Sequence, residues 1–189
     1  MANSEHVEHL KQGHAAWNKY RKENIDIYKN LQPDFEEAHL EGAHLEGAHL
    51  EGAHLEGAQL KGAHLNGAHL KGAHLEGAHL KGAHLEGAHL TEAQLEKANL
   101  NGAHLTEADL MEANLTGANL KKADLTEAHL MGSWLTGAKL EKANLTGAAN
   151  LTIDQLSTVK TLYNVVGLDS TLLEQVRENY PHLLEKPIK

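Results

Sequence analysis

From Leu40 to Leu145 a leucine falls at every fifth position, giving twenty-two leucines in one unbroken register. Two residues before each stands an alanine, from Ala38 to Ala143, with Ser133 the single replacement. The unit is Ala-X-Leu-X-X, most often Ala-His-Leu-Glu-Gly. A period of five excludes a helix packed by one stripe. At about 100° per residue, leucines five apart step round the cylinder by roughly 140°. The fifteen glycines within the array would each cost a helix about 1 kcal/mol relative to alanine.

Extended chain suits the pattern better. Ala and Leu lie two apart and point to the same side of a strand, while the residue between them points away. An odd repeat must then spend a position on a corner, and glycine in the last place, as at Gly42 and Gly47, tolerates the backbone angles a corner needs. The path winds into a coil with Ala and Leu inside, and successive coils stack at about 4.8 Å. One buried leucine contributes about 2 kcal/mol, against about 1–2 kcal/mol of backbone entropy for each of five ordered residues. A single unit therefore cannot fold alone, and stability must be cooperative along the stack.

The array resembles the pentapeptide repeat family, whose units hold a small residue, a polar residue (often Asn or Asp), Leu or Phe, and two variable residues. Ala108-Asp109-Leu110, Ala113-Asn114-Leu115, Ala118-Asn119-Leu120 and Ala123-Asp124-Leu125 carry its common form. Earlier units depart from it by placing histidine in the outward slot. The resemblance implies an all-β solenoid, a right-handed quadrilateral β-helix with four pentapeptides per coil; the terminal residues themselves read as α-helical caps at both ends. It is similar in particular to short cyanobacterial members, through Leu10-Lys11-Gln12-Gly13 followed by Trp17-Asn18-Lys19-Tyr20-Arg21.

We divide the chain into an N-terminal helical cap and connector (1–32), the β-helix (33–151) and a C-terminal helical cap (152–189). Phe35 lies in the leucine register and is the first inward residue. The core then runs through Leu40, Leu60, Leu80, Leu100, Leu120 and Leu140. Residues 4–23 read as one helix capped by Ser4, with Val7, Leu10, His14, Trp17 and Arg21 on one face; Leu10 and Trp17 are its cap residues. Residues 24–37 form a connector, with Pro33 at the entry because it cannot donate to a ladder. Near Ala148-Ala149-Asn150-Leu151 one extra residue shifts the register, and Leu156 resumes it. Thr152 or Asp154 starts a short helical turn, Thr161–Val166 is β-prone, and Asp169 or Ser170 caps a helix to Asn179 that Pro181 stops. Leu172, Leu173, Val176 and Tyr180 form its apolar side. This segment covers the last coil or serves as a dimer interface, leaving monomer or homodimer open. Met111, Met131 and Trp134, all on the outside, are expected to pack against it.

Net charge is −9 and aromatic content 4%. The charge argues against direct nucleic-acid binding, and a narrow Leu/Ala interior does not need aromatics. There is no cysteine, hence no thiolate chemistry. The start lacks a basic region followed by an apolar run, and no stretch has the length of a membrane span. The expectation is a soluble cytoplasmic protein.

Twelve histidines fill the outward slot of the array. With four units per coil, residues twenty apart stack. His44, His64, His84 and His104 then form one column, and His49, His69 and His89 another. Neighbours about 4.8 Å apart could pinch nickel or zinc, because metal–nitrogen bonds run about 2.0–2.1 Å. A uniform repeat supplies no outer shell of supporting groups, so the competing reading is a solvated ladder with incidental metal binding and no dedicated cofactor. Stacked imidazolium charges would repel. Stability is then expected to be full above about pH 6.5 and to fall on acidification.

Glu/His pairs recur everywhere, whereas catalysis needs one differentiated, concave site. We therefore expect no enzyme but a scaffold that binds a protein partner not written in the sequence. The resemblance implies one alternative. Some fluoroquinolone-resistance members are thought to act as acidic mimics of DNA on gyrase, a type II topoisomerase. Residues 38–147 carry 14 acidic and 8 basic side chains, a net of −6. Over a stack of roughly 26 Å this is sparser than the one charge per ~1.7 Å of duplex DNA.

Overall fold

A computed structural model describes residues 2–24 and 32–187. Residues of the array pair in parallel with residues twenty later: His44 with His64, His64 with His84, His84 with His104, His104 with Asp124. Twenty residues are four pentapeptides. Residues 34–149 thus make just under six coils of four units each.

Within a unit the backbone donors follow one rule. The Leu N–H reaches the next coil (Leu45 to His64 O, 2.7 Å), as does the fifth residue (Gly47 to Asn66 O, 3.0 Å). The outward residue donates to the previous coil (His64 to Ala43 O, 2.9 Å). The Ala N–H closes a turn on the preceding leucine (Ala48 to Leu45 O, 3.0 Å). The fourth residue is left over. In the Asn/Asp units the outward side chain takes it, as when Asp109 Oδ1 accepts from Met111 N–H (3.1 Å) and Asn114 Oδ1 from Thr116 N–H (3.1 Å).

The turn requires positive φ at the fifth position. Glycine supplies it at Gly62 (φ 64°), but Glu92 (60°) and Lys97 (58°) adopt the same angle. Inside, Leu40, Leu60, Leu80, Leu100, Leu120 and Leu140 are buried together with Phe35, and the alanines let the walls approach.

The expected single N-terminal helix is two, α1 (Ser4–Lys11) and α2 (His14–Glu23), broken at Gly13 with φ 98°. Asn3, not Ser4, is the N-cap of α1: its side chain accepts from Glu5 and His6 N–H. Leu10 and Trp17 are fully buried, whereas His14 is exposed and Arg21 is held at the rim by Glu51 (2.9 Å). The connector assigned to 24–37 lies partly outside the described residues.

Among the described residues no coil precedes the first one, and side chains of α2 meet its open backbone groups. The Asn18 carboxamide accepts from His49 N–H (2.8 Å) and donates to Gly47 O (3.0 Å), as a peptide group of a preceding coil would. Trp17 Nε1 (2.8 Å) and Arg21 (2.6 Å) both donate to His49 O.

At the other end the register shift is two residues, not one. Lys139 pairs with Thr161 and Asn144 with Val166, an offset of twenty-two. The extra length forms α3 (Ile153–Ser157), capped by a reciprocal Thr152–Gln155 box. Leu156 is buried on this helix instead of resuming the strand rhythm. Gln155 also explains the lone break in the alanine register, because its Nε2 donates to Leu130 O, Ser133 O and Ser133 Oγ (2.9, 2.9 and 3.1 Å). Asp169 caps α4 (Ser170–Asn179), Val176 is its buried residue, and Leu172 and Tyr180 are half-buried. Pro181 opens a 3-10 turn to Leu184, whose Leu183 carbonyl accepts from Leu162 N–H (2.7 Å). Trp134 (63% exposed) and Met131 (44%) are not covered by this segment. The corner at 131–132 and the Trp134 strand position turn them outward, contrary to the expectation above.

Gly167 differs from the array glycines. A Cβ there would lie 2.2 Å from Thr146 Oγ1 and 2.4 Å from its backbone nitrogen, whereas at Gly62 it would meet nothing within 4 Å. Gly62→Ala is expected to cost about 1 kcal/mol, the ordinary penalty of a left-handed alanine. Gly167→Ala should lower the urea midpoint clearly further; equal midpoints would contradict the packing.

Candidate functional site: the histidine ladders

Strand register alone puts the histidines in columns. Ring centroids are 4.8 Å apart for His44–His64, 5.0 Å for His64–His84 and 4.8 Å for His84–His104, with planes within 14° of parallel. His49, His69 and His89 stack at 4.7 and 5.0 Å. A further pair, His54 and His74, stacks at 4.9 Å and 8°. Parallel rings direct their nitrogen lone pairs in parallel, so two of them cannot converge on one ion without rotating. A third donor changes that.

The donor is the glutamate two residues on. Its turn swings it beside the ring: His54 Nδ1 lies 3.0 Å from Glu56 Oε1, His44 Nδ1 3.3 Å from Glu46 and His84 Nδ1 3.4 Å from Glu86. Three groups bring one ligand atom per residue within 4.8 Å of each other: His44, Glu46 and His64; His84, Glu86 and His104; Glu56, His74 and Glu76. His49, His69 and His89 join no such group among the described residues. The glutamates were legible in Ala-His-Leu-Glu-Gly, but column reasoning considered only outward slots.

These carboxylates also alter the charge argument, since a protonated ring in such a pair would meet a counter-charge. The Glu46 carboxyl is held below its usual value, first by its own backbone N–H and then by His44 and His64; Glu41 is held down likewise by its own N–H and by His39. Side-chain ladders continue above, where Asn119 Nδ2 donates to Asn99 Oδ1 (3.2 Å) and Asn144 Nδ2 to Asp124 Oδ1 (3.2 Å).

The sequence reading missed His6. It is 1% exposed, among Trp17, Tyr20 and Phe35 at centroid distances of 5.8, 6.2 and 5.9 Å. Its Nδ1 accepts from Asp34 N–H (3.0 Å). Burial lowers its pKa below the ordinary 6.5, with His9 acting in the same sense and Asp34 and Glu5 opposing.

The family model for pentapeptide repeats matches residues 34–72, 68–107 and 108–147. The chain is a member of the pentapeptide repeat family. Its members form right-handed quadrilateral β-helices, and four units per coil is the period found here. No curated protein matches it. Among solved structures it is similar to HetL, a pentapeptide repeat protein involved in heterocyst differentiation regulation in the cyanobacterium Nostoc sp. strain PCC 7120. Identity is 28% over 70% of this chain and 65% of HetL, so the chain spans less than two thirds of that protein, with a TM-score of 0.47. It is also similar to Rfr23 from the cyanobacterium Cyanothece 51142 (35% identity; 57% of this chain, 63% of that one; TM-score 0.36). Full-length QnrB1, a plasmid-mediated fluoroquinolone resistance protein, matches at 21% identity over 77% of this chain and 72% of its own (TM-score 0.41).

Because His6 is disfavoured as a cation in the folded state, its contribution to stability is full above about pH 6.5 and is lost as pH falls through its lowered value. The melting temperature should drop between pH 7 and 5, and His6→Phe should flatten that slope. An unchanged slope in the variant would contradict the assignment.

Proposed function

We propose that this pentapeptide repeat protein is a non-enzymatic scaffold whose faces bind a protein partner. The observation that carries the reading is the register of the outer side chains. Each column repeats at one-coil spacing, as the 4.7–5.0 Å histidine stacks illustrate. A backbone laddered on both sides holds such a face with little conformational freedom, so little entropy is lost when a partner docks.

Charge is sorted among the corners. Lys61 and Lys81 line a groove with Asn101, while Glu107 and Glu127 line another with His129. The second reading is a modulator of gyrase acting as a DNA mimic; the net −6 of residues 38–147 is sparser than the charge of duplex DNA, and with the lysine corner it weighs against that reading. Dimerisation through the C-terminal segment remains compatible with the scaffold reading.

Affinity capture from the encoding organism separates these readings. The expected result is a protein retained by the wild type and lost when the twelve outward array histidines become asparagine. Retention of gyrase would select the second reading, and no protein retained above a bare-resin control would contradict both.

A further inference from the structure

His-Leu-Glu occurs six times in the array, at 39–41, 44–46, 49–51, 54–56, 74–76 and 84–86. Only 54–56 and 74–76 are twenty apart, so only there do two histidine–glutamate pairs stack in adjacent coils. The four side chains are partly exposed and face one another. His54 Nδ1 is 3.0 Å from Glu56 Oε1, His74 Nδ1 is 3.6 Å from Glu76 Oε1, and the two rings are parallel at 4.9 Å. In both glutamates the second oxygen, Oε2, is enclosed and accepts no hydrogen bond from the described residues. Two carboxylates one coil apart repel. Among the described ion pairs each meets a histidine and neither meets a lysine or arginine, whereas Glu96, next in that corner, has Lys97 at 2.7 Å.

We propose that Glu56, His74 and Glu76 bind one divalent transition-metal ion of the zinc class, with His54 beside them. One ligand atom from each of the three already lies within 4.8 Å of the others. A tetrahedral site with bonds of about 2.0–2.1 Å places its donors about 3.3 Å apart. Rotation of partly exposed side chains supplies that contraction without moving the ladder. The imidazole selects zinc, nickel or copper over magnesium and calcium, which take oxygen donors. Two carboxylates neutralise the ion, and the enclosed Oε2 atoms gain a partner. The His44–Glu46–His64 and His84–Glu86–His104 groups each offer a single carboxylate, and Asn66 already donates to Glu86. The site lies on one of the outer faces of the scaffold, but metal binding there does not depend on the partner reading.

Calorimetric titration of the full chain with zinc at pH 7.5 tests the site. Glu76→Gln keeps the side-chain shape, and its circular dichroism should match the wild type. One tight equivalent is expected in the wild type. Its affinity should fall at least about tenfold in Glu76→Gln and in His74→Asn, and stay unchanged in His104→Asn. Equal binding by wild type and Glu76→Gln, or an equal loss in His104→Asn, would overturn the assignment.

Discussion

The structure depends on hydrogen bonds between coils. In most units the Leu and fifth-position N–H groups point to one neighbour coil and the outward residue's N–H to the other, while the alanine N–H is satisfied locally. No unit completes its own donors, so the leucine interior and the ladder exist together or not at all. A buried peptide group without a partner costs as much as a lost hydrogen bond. Geometry therefore concentrates the difficulty at the two ends, where a neighbour coil is missing.

The ends answer with side chains that imitate a backbone. Asn18 presents one donor and one acceptor to the first coil, while Trp17 and Arg21 converge on the His49 carbonyl. Gln155 does the corresponding work for Leu130 and Ser133. These residues break the five-residue rhythm or lie outside it. The aromatic cluster round His6 belongs to the same device, burying the open mouth of the tube against Phe35.

Leucine spacing disclosed the interior because a period of five has few physical solutions, and the columns followed once twenty residues closed a coil. What stayed hidden depends on distance in space. Nothing in Asn18 marks it as a substitute peptide, and nothing in His6 marks it as buried, since both sit on short helices of mixed polarity. The two-residue lengthening after Ala149 looked like one because Leu156 falls five residues after Leu151, yet it is helical. Trp134 and Met131 were expected under a neighbouring segment and are exposed because that segment covers the coil end rather than its side. At the candidate site, histidine drew the eye. The glutamate two residues on, with its enclosed oxygen, becomes visible only when coils are laid over one another.

The chain has no cysteine, which permits a direct measurement of coil length. Spin labels on Glu46→Cys and Thr126→Cys would stand eighty residues apart in sequence and four coils apart along the stack. Double electron–electron resonance should give a narrow distribution with a backbone separation of about 19 Å. A broad distribution, or a mean approaching the roughly 120 Å of a continuous helix of that span, would contradict the twenty-residue coil.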